Sequence, residues 1–209
     1  MILWRPVGMH ELALVWERRF TGFPPRLPEQ PIFYPVLERE YAIQIARDWN
    51  TRQEPFAGYV TRFALSDDYA RDLEVHVVGG RQHREFWVPA VDLEPFNSHI
   101  EGSIEAQEAY FGPSFRGFIP SQFGLANRDA TQQFQALAAT RDYAPMDFYL
   151  ESRANELAVY LNYPFWAAST AEQLGVSEAE RSATLGELRQ CWTRAEVRAA
   201  LIEDGMRAA

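Results

Sequence analysis

Residues 38–65, EREYAIQIARDWNTRQEPFAGYVTRFAL, contain the two patterns that decide the fold class. In the first half, large apolar residues recur every four positions from Tyr41 to Trp49, which predicts an amphipathic helix over Glu38 to Asn50. In the second half, Gly58 to Leu65 alternates in polarity, which predicts a strand. A helix that leads into a strand indicates a chain that mixes both kinds of element.

The N-terminal part continues this mixture in both directions. A helix is predicted over Met9 to Arg19, and the proline-rich run Phe23 to Pro28 predicts a loop. Asp67 to Val78 suits a helix or a strand equally well. The other predicted elements are strands over Ile2 to Val7, Pro31 to Val36, Arg84 to Pro89 and Ile100 to Tyr110, and a short helix over Val91 to His99.

The character of the chain changes after Gly124. Ala130 to Thr140 and Met146 to Tyr163 predict helices, the second of them closed by Pro164. Capping-box pairs then predict a run of short helices: Thr170 with Gln173, Ser177 with Glu180, and Thr193 with Glu196. The fold class predicted is therefore α+β, with a mixed sheet region over residues 1–124 and a helical region over 125–209. The stretch Phe111 to Asn127, where the two regions meet, is rich in Phe, so we expect the helices to pack on the sheet region.

The composition of the chain limits the classes of protein to which it can belong. The chain has 209 residues, 47% of them hydrophobic, which indicates a globular protein of one or two domains. Its one cysteine, Cys191, rules out an intramolecular disulfide. We expect no signal peptide and no membrane association, because the N-terminal apolar run is short and no stretch of 18 apolar residues occurs. The default location is the cytoplasm.

Charge and motifs exclude several kinds of site. The net charge is −9 and no basic stripe is present, so stable binding of duplex nucleic acid is not expected. The four histidines show no metal-ligand spacing, and no metal site is predicted. The chain also lacks a glycine-rich phosphate loop and the spacing of a serine nucleophile elbow.

Three strand residues remain as candidates. Arg5 lies on the first predicted strand, Tyr34 follows Phe33 on the second, and Glu85 opens a later one. Each also has an ordinary interpretation, because charged residues are mostly exposed and tyrosines mostly pack. Arg5 would then be a surface arginine, Tyr34 a packing residue and Glu85 a charge at a strand edge.

Taken in this order, the three segments resemble the ADP-ribosyltransferase superfamily. Leu3-Trp4-Arg5 is similar to the first motif of that family, and Ile32-Phe33-Tyr34 with Tyr41-Ala42 is similar to the second. Arg84-Glu85-Phe86-Trp87-Val88-Pro89 is similar to the third. The sequence over residues 4–8, 23–34 and 46–50 also resembles a bacterial group labelled "ADP-ribosylation/crystallin J1". Members that act on arginine or asparagine carry Glu or Gln two residues before the catalytic Glu, where this chain has His83.

The resemblance implies a mono-ADP-ribosyltransferase that uses NAD as a substrate, or an NAD glycohydrolase if water is the acceptor. Glu85 would be catalytic, Arg5 would anchor the phosphate or ribose, and Tyr34 or Phe33 would stack on the nicotinamide. Tyr41 and His83 would complete the NAD site. Arg5, Tyr34 and Glu85 are expected to converge on one cleft. The acceptor, whether protein, nucleic acid or small molecule, is not specified. The alternative is a non-catalytic module that binds a nucleotide or a protein on the same scaffold.

Overall fold

The computed structural model describes residues 1–195, 197 and 199–207, the side chains of Asp204 and Arg207 excepted. It confirms the α+β class. The strands are β1 (Ile2–Gly8), β2 (Ile32–Phe33), β3 (Ala57–Leu65), β4 (Val75–Val77), β5 (Arg84–Phe86), β6 (Val88–Pro89), β7 (Ile100–Phe111) and β8 (Asp204–Arg207). The α-helices are α1 (Met9–Glu17), α2 (Arg39–Asp48), α3 (Asp67–Ala70), α4 (Leu93–Ser98), α5 (Ala130–Tyr143), α6 (Pro145–Ala154), α7 (Glu156–Ala168), α8 (Ala171–Leu174) and α9 (Glu178–Arg194).

The main sheet has the strand order β1-β3-β7-β8. β3 pairs antiparallel with β1 and β7, and β8 pairs parallel with the end of β7. The sequence predicted only helices in residues 125–209, so β8 is a correction. Its sequence, Asp-Gly-Met-Arg, lacks the alternation that indicates a strand. Glycine is required within it, because a Cβ atom at Gly205 would lie 1.9 Å from the carbonyl oxygen of Pro164 on α7.

A second group of strands extends the sheet beyond β1. Trp4 forms an antiparallel bridge with Val36, and Val36 forms another with Glu85. The β2–β6 pairs keep the same register as the Val36–Glu85 bridge, so the segments 32–37 and 84–89 run side by side. β4 pairs with β5 further out. Since directly paired residues point to one face of a sheet, Trp4, Val36 and Glu85 share a face.

The two faces of this sheet are covered differently. On one face, Leu3 and Phe63 belong to a large core that also contains residues of α1 and of the C-terminal helices. On the other, Val36, Tyr41 and Val60 form a smaller cluster under α2. The close approach of α2 depends on Gly58 of β3, where a Cβ atom would lie 2.2 Å from a backbone oxygen of the helix.

The C-terminal helices pack on the sheet, as the sequence predicted. The large core contains Phe63 and Phe111 from the strands together with Phe134 and Trp166 from the helices. The boundary at residue 124 therefore marks a change of composition and not a break in the core. Within the described residues, no helix is both long and apolar enough to cross a membrane.

Some predicted elements need correction in detail. Asp67 to Val78 forms both alternatives in turn, α3 and then β4. The helix predicted over Met146 to Tyr163 is two helices, and Pro164 lies inside α7 instead of ending it. Packing of this buried helix outweighs the hydrogen bond that proline removes. The capping boxes at Thr170 and Ser177 are confirmed. Thr193 lies within α9, and its predicted partner Glu196 lies outside the described residues.

Candidate functional site

Glu85 of β5 is a buried carboxylate held by two side-chain donors. The Tyr41 hydroxyl, from α2, donates to Glu85 Oε2 at 3.3 Å. The indole Nε1 of Trp87 donates to Glu85 Oε1 at 2.7 Å. Glu85 is only 7% exposed. Hydrogen bonds to an ionised group offset much of the cost of taking it out of water, and here they also fix its orientation.

An open group of aromatic rings lies next to this carboxylate. Trp87 is 48% exposed and Tyr34 is 37% exposed, and their ring centroids are 6.2 Å apart in an edge-to-face arrangement. The imidazole of His76 stacks on Trp87 with centroids 4.3 Å apart. His76 is also the residue of β4 that pairs with Glu85 across the strands. Exposed aromatic faces beside a negative charge suit a planar or cationic ligand.

His83 supports Tyr41, one of the two donors to the Glu85 carboxylate. Its ring stacks on Tyr41 with centroids 4.3 Å apart. Its two nitrogens lie 3.1 Å from Gln44 Oε1 and 3.1 Å from the Val78 carbonyl oxygen. His83 therefore holds the ring of Tyr41, which in turn holds Glu85.

These side chains together are called the Glu85 face: Tyr34, Tyr41, His76, His83, Glu85 and Trp87. Four of them were predicted from the sequence, namely Tyr34, Tyr41, His83 and Glu85. Burial, and then the charge of Glu85, raises the pKa of Tyr41 to about 12. The Tyr41 hydroxyl therefore stays protonated at neutral pH and remains a donor to Glu85.

Arg5 does not belong to the Glu85 face, and the prediction that it shares a cleft with Glu85 is wrong. Its neighbour Trp4 is the residue in line with Glu85, and successive side chains of a strand point to opposite faces. The Arg5 guanidinium instead binds Glu11 of α1 through Nε and Nη2, both at 3.3 Å. It lies 4.9 Å from the ring centroid of Phe33.

Phe33 is likewise not available to a ligand. It is fully buried and packs against Phe23 and Phe96 in the large core. Of the two alternatives for a stacking platform, Phe33 and Tyr34, only Tyr34 offers an exposed ring beside Glu85. The prediction of Phe33 as a cofactor-binding residue is therefore also wrong.

Arg5 still influences the site indirectly. Its Nη1 donates to the backbone oxygen of Tyr34 at 3.1 Å. Glu11, its partner, also pairs with Arg26 at 3.5 Å, which ties the loop before β2 to α1. Burial, followed by the neighbouring charge of Arg5, lowers the pKa of Arg26. Arg5 is thus a residue that positions the Tyr34 backbone from the opposite face of the sheet.

Sequence reasoning missed Trp87 and His76. A signal for Trp87 was present, because it lies two residues after Glu85 in an extended segment and must share its face. His76 carried no such signal, since the segment around it suited a helix or a strand equally. Among the described residues there is no group of three or more His, Cys, Asp or Glu side chains that could hold a metal ion.

Comparisons with known proteins do not assign the chain to a family. No family model matches the chain, no curated protein matches it, and no solved structure matches it.

Proposed function

We propose that the chain binds a nucleotide with a cationic ring, of which NAD⁺ is the example, at the Glu85 face. The nicotinamide ring would stack on one of the two perpendicular rings, Trp87 or Tyr34, and contact the other, with the Glu85 carboxylate close to its positive charge. One observation carries the proposal: a buried carboxylate, oriented by two donors, lies directly beside an exposed aromatic pair.

The physical basis is the attraction of a cationic ring for aromatic faces and for a carboxylate in a poorly solvated place. Cation–π contacts contribute about 0.5–2 kcal/mol, more where water is excluded. A carboxylate that already has its hydrogen bonds needs no reorganisation when the ring arrives. Two arginines close in sequence to this face are already paired, Arg84 with Glu38 and Arg39 with Glu108. The contacts that carry the proposal are therefore those to the ring end of the ligand.

The test is a titration of the full chain with NAD⁺, compared between Trp87→Ala and Trp49→Ala. Trp49 is a matched control, because it is an exposed tryptophan (56%) at the end of α2 and outside the Glu85 face. Trp87→Ala should lower the affinity at least about fivefold, whereas Trp49→Ala should bind as the wild type does. Equal affinities of the two variants would remove Trp87, and the proposal with it.

A second candidate is cleavage of the nicotinamide–ribose bond, as a mono-ADP-ribosyltransferase or an NAD glycohydrolase. It is favoured by the fixed orientation of Glu85, because a preorganised carboxylate can stabilise the positive charge that develops on the ribose. It comes second because Arg5, which the resemblance assigned to the phosphate or ribose of NAD, lies on the other face.

A further inference from the structure

A separate cavity of about 690 Å³ lies away from the Glu85 face. It is bounded by Arg19–Thr21 after α1, by Gly102–Gln107 of β7, by Tyr160 of α7 and by residues 199–203. This volume falls within the range of small-molecule sites.

Tyr160 has a hydroxyl with an unmet hydrogen-bonding capacity. The residue is 1% exposed, and its ring packs at 4.9 Å from Trp16 and 5.6 Å from Phe20. Within the described part of the chain the hydroxyl has no hydrogen-bond partner. Tyr160 is one of the residues that line the cavity, so a ligand there can supply the missing partner. Burial raises the pKa of Tyr160, which keeps the hydroxyl protonated and able to donate.

The charges around the cavity leave one cation without a described partner. Glu105 pairs with Arg62 at 3.4 Å and Glu203 pairs with Arg189 at 3.5 Å. Arg19 forms no ion pair with any described carboxylate. It precedes Phe20, whose carbonyl accepts a hydrogen bond from the Ile104 amide at 2.8 Å and so fixes this wall to β7. Among the described lining residues, Arg19 is thus an exposed cation with no ion-pair partner, and the two carboxylates of the lining, Glu105 and Glu203, are already paired.

We infer that this cavity binds a small organic anion with a flat apolar body. Arg19 would attract the anionic group, Phe20 and Tyr160 would pack on the body, and the Tyr160 hydroxyl would donate to an acceptor atom of the ligand. This inference is independent of the nucleotide proposal, since it involves none of the side chains of the Glu85 face.

The test uses a fluorescent probe and its uncharged counterpart on the full chain. Anilinonaphthalene sulfonate should bind with one site per chain and at least about tenfold more tightly than N-phenylnaphthylamine, which lacks the sulfonate. Arg19→Ala should remove that preference. Tyr160→Phe should lower the affinity for the sulfonate about fivefold without lowering the stability of the protein, because no described group loses a partner.

Matched controls are Arg71→Ala and Tyr143→Phe, both at exposed positions outside the cavity, and both should bind the probe as the wild type does. The inference is overturned if the two dyes bind equally well to the wild type. It is equally overturned if either Arg19→Ala or Tyr160→Phe leaves the affinity for the sulfonate unchanged.

Discussion

The indole of Trp87 donates a hydrogen bond of 2.7 Å to the carboxylate of Glu85, two residues earlier in the same extended segment. The bond connects an exposed aromatic ring, that of Trp87, to a buried carboxylate, that of Glu85. A ligand that stacks on the indole is thereby placed next to the negative charge. The consequences can be measured one residue at a time.

Tyr34 and Phe33 are adjacent in sequence and should respond in opposite ways to substitution. Tyr34→Ala removes an exposed ring, so NAD⁺ affinity should fall about fivefold with little change in the free energy of unfolding. Phe33→Leu alters the core, so the free energy of unfolding should fall by about 1 kcal/mol with NAD⁺ affinity nearly unchanged. Calorimetric titration and urea unfolding of both variants check this. The reverse pattern would mean that Phe33 is the platform.

Arg5→Ala should chiefly lower stability. Among the described residues it leaves Glu11 with Arg26 as its one ion-pair partner, and it frees the backbone oxygen of Tyr34, so the free energy of unfolding should fall by about 2 kcal/mol. The comparison is Arg71→Ala, which breaks an exposed ion pair between Asp68 of α3 and Arg71 just after that helix. This substitution should lower the free energy of unfolding by less than about 0.5 kcal/mol. A loss of NAD⁺ binding in Arg5→Ala at full stability would place Arg5 in direct contact with the ligand.

Tyr41 should make stability depend on alkaline pH. Its folded-state pKa of about 12 is raised from an ordinary value of 10.0. The protonated hydroxyl thus contributes stability that is complete below pH 10.0 and is lost as the pH rises through about 12. The difference in free energy of unfolding between the wild type and Tyr41→Phe should shrink across that window. A difference that stays constant from neutral pH to pH 12 would show that Tyr41 is not held as a donor to Glu85.

Glu85→Gln tests the second candidate function, cleavage of NAD⁺. Glutamine can keep an acceptor oxygen toward Trp87 and offer its amide to the Tyr41 hydroxyl, which can accept. The variant should therefore fold and still bind NAD⁺, with a lower affinity because the negative charge beside the nicotinamide ring is lost. If Glu85 stabilises the ribose cation, nicotinamide release should fall at least about a hundredfold. A wild-type protein that binds NAD⁺ and releases no nicotinamide would exclude cleavage and leave the binding proposal intact.

The bounds of the helices and strands were predicted from the sequence more accurately than the pairing and packing between them. Local patterns placed β1, α2 and β3 nearly at their observed bounds, because each depends on its own periodicity. The face on which Arg5 lies depends instead on the register of β1 against Val36, a long-range pairing that no local pattern contains. Moving that register by one residue would exchange Trp4 and Arg5.

The candidate site was predictable to a similar extent. Tyr41 and Glu85 could be named from the sequence, and their contact follows from α2 packing on the face that carries Val36. The role of His76 could not be predicted, because it depends on β4 pairing with β5 in a segment with mixed signals. β8 was missed for a related reason, since a short strand added at the end of the chain is stabilised by its partner β7 and not by its own composition.

The most direct test of the central claim is the ratio of the affinities of the full chain for NAD⁺ and NADH, measured by calorimetric titration at neutral pH. The two ligands share their ribose and phosphate groups and differ in the charge of the nicotinamide ring. A site built from Trp87, Tyr34 and the Glu85 carboxylate should bind NAD⁺ at least about fivefold more tightly. Equal affinities, tighter binding of NADH, or no binding of NAD⁺ at millimolar concentration would contradict the account.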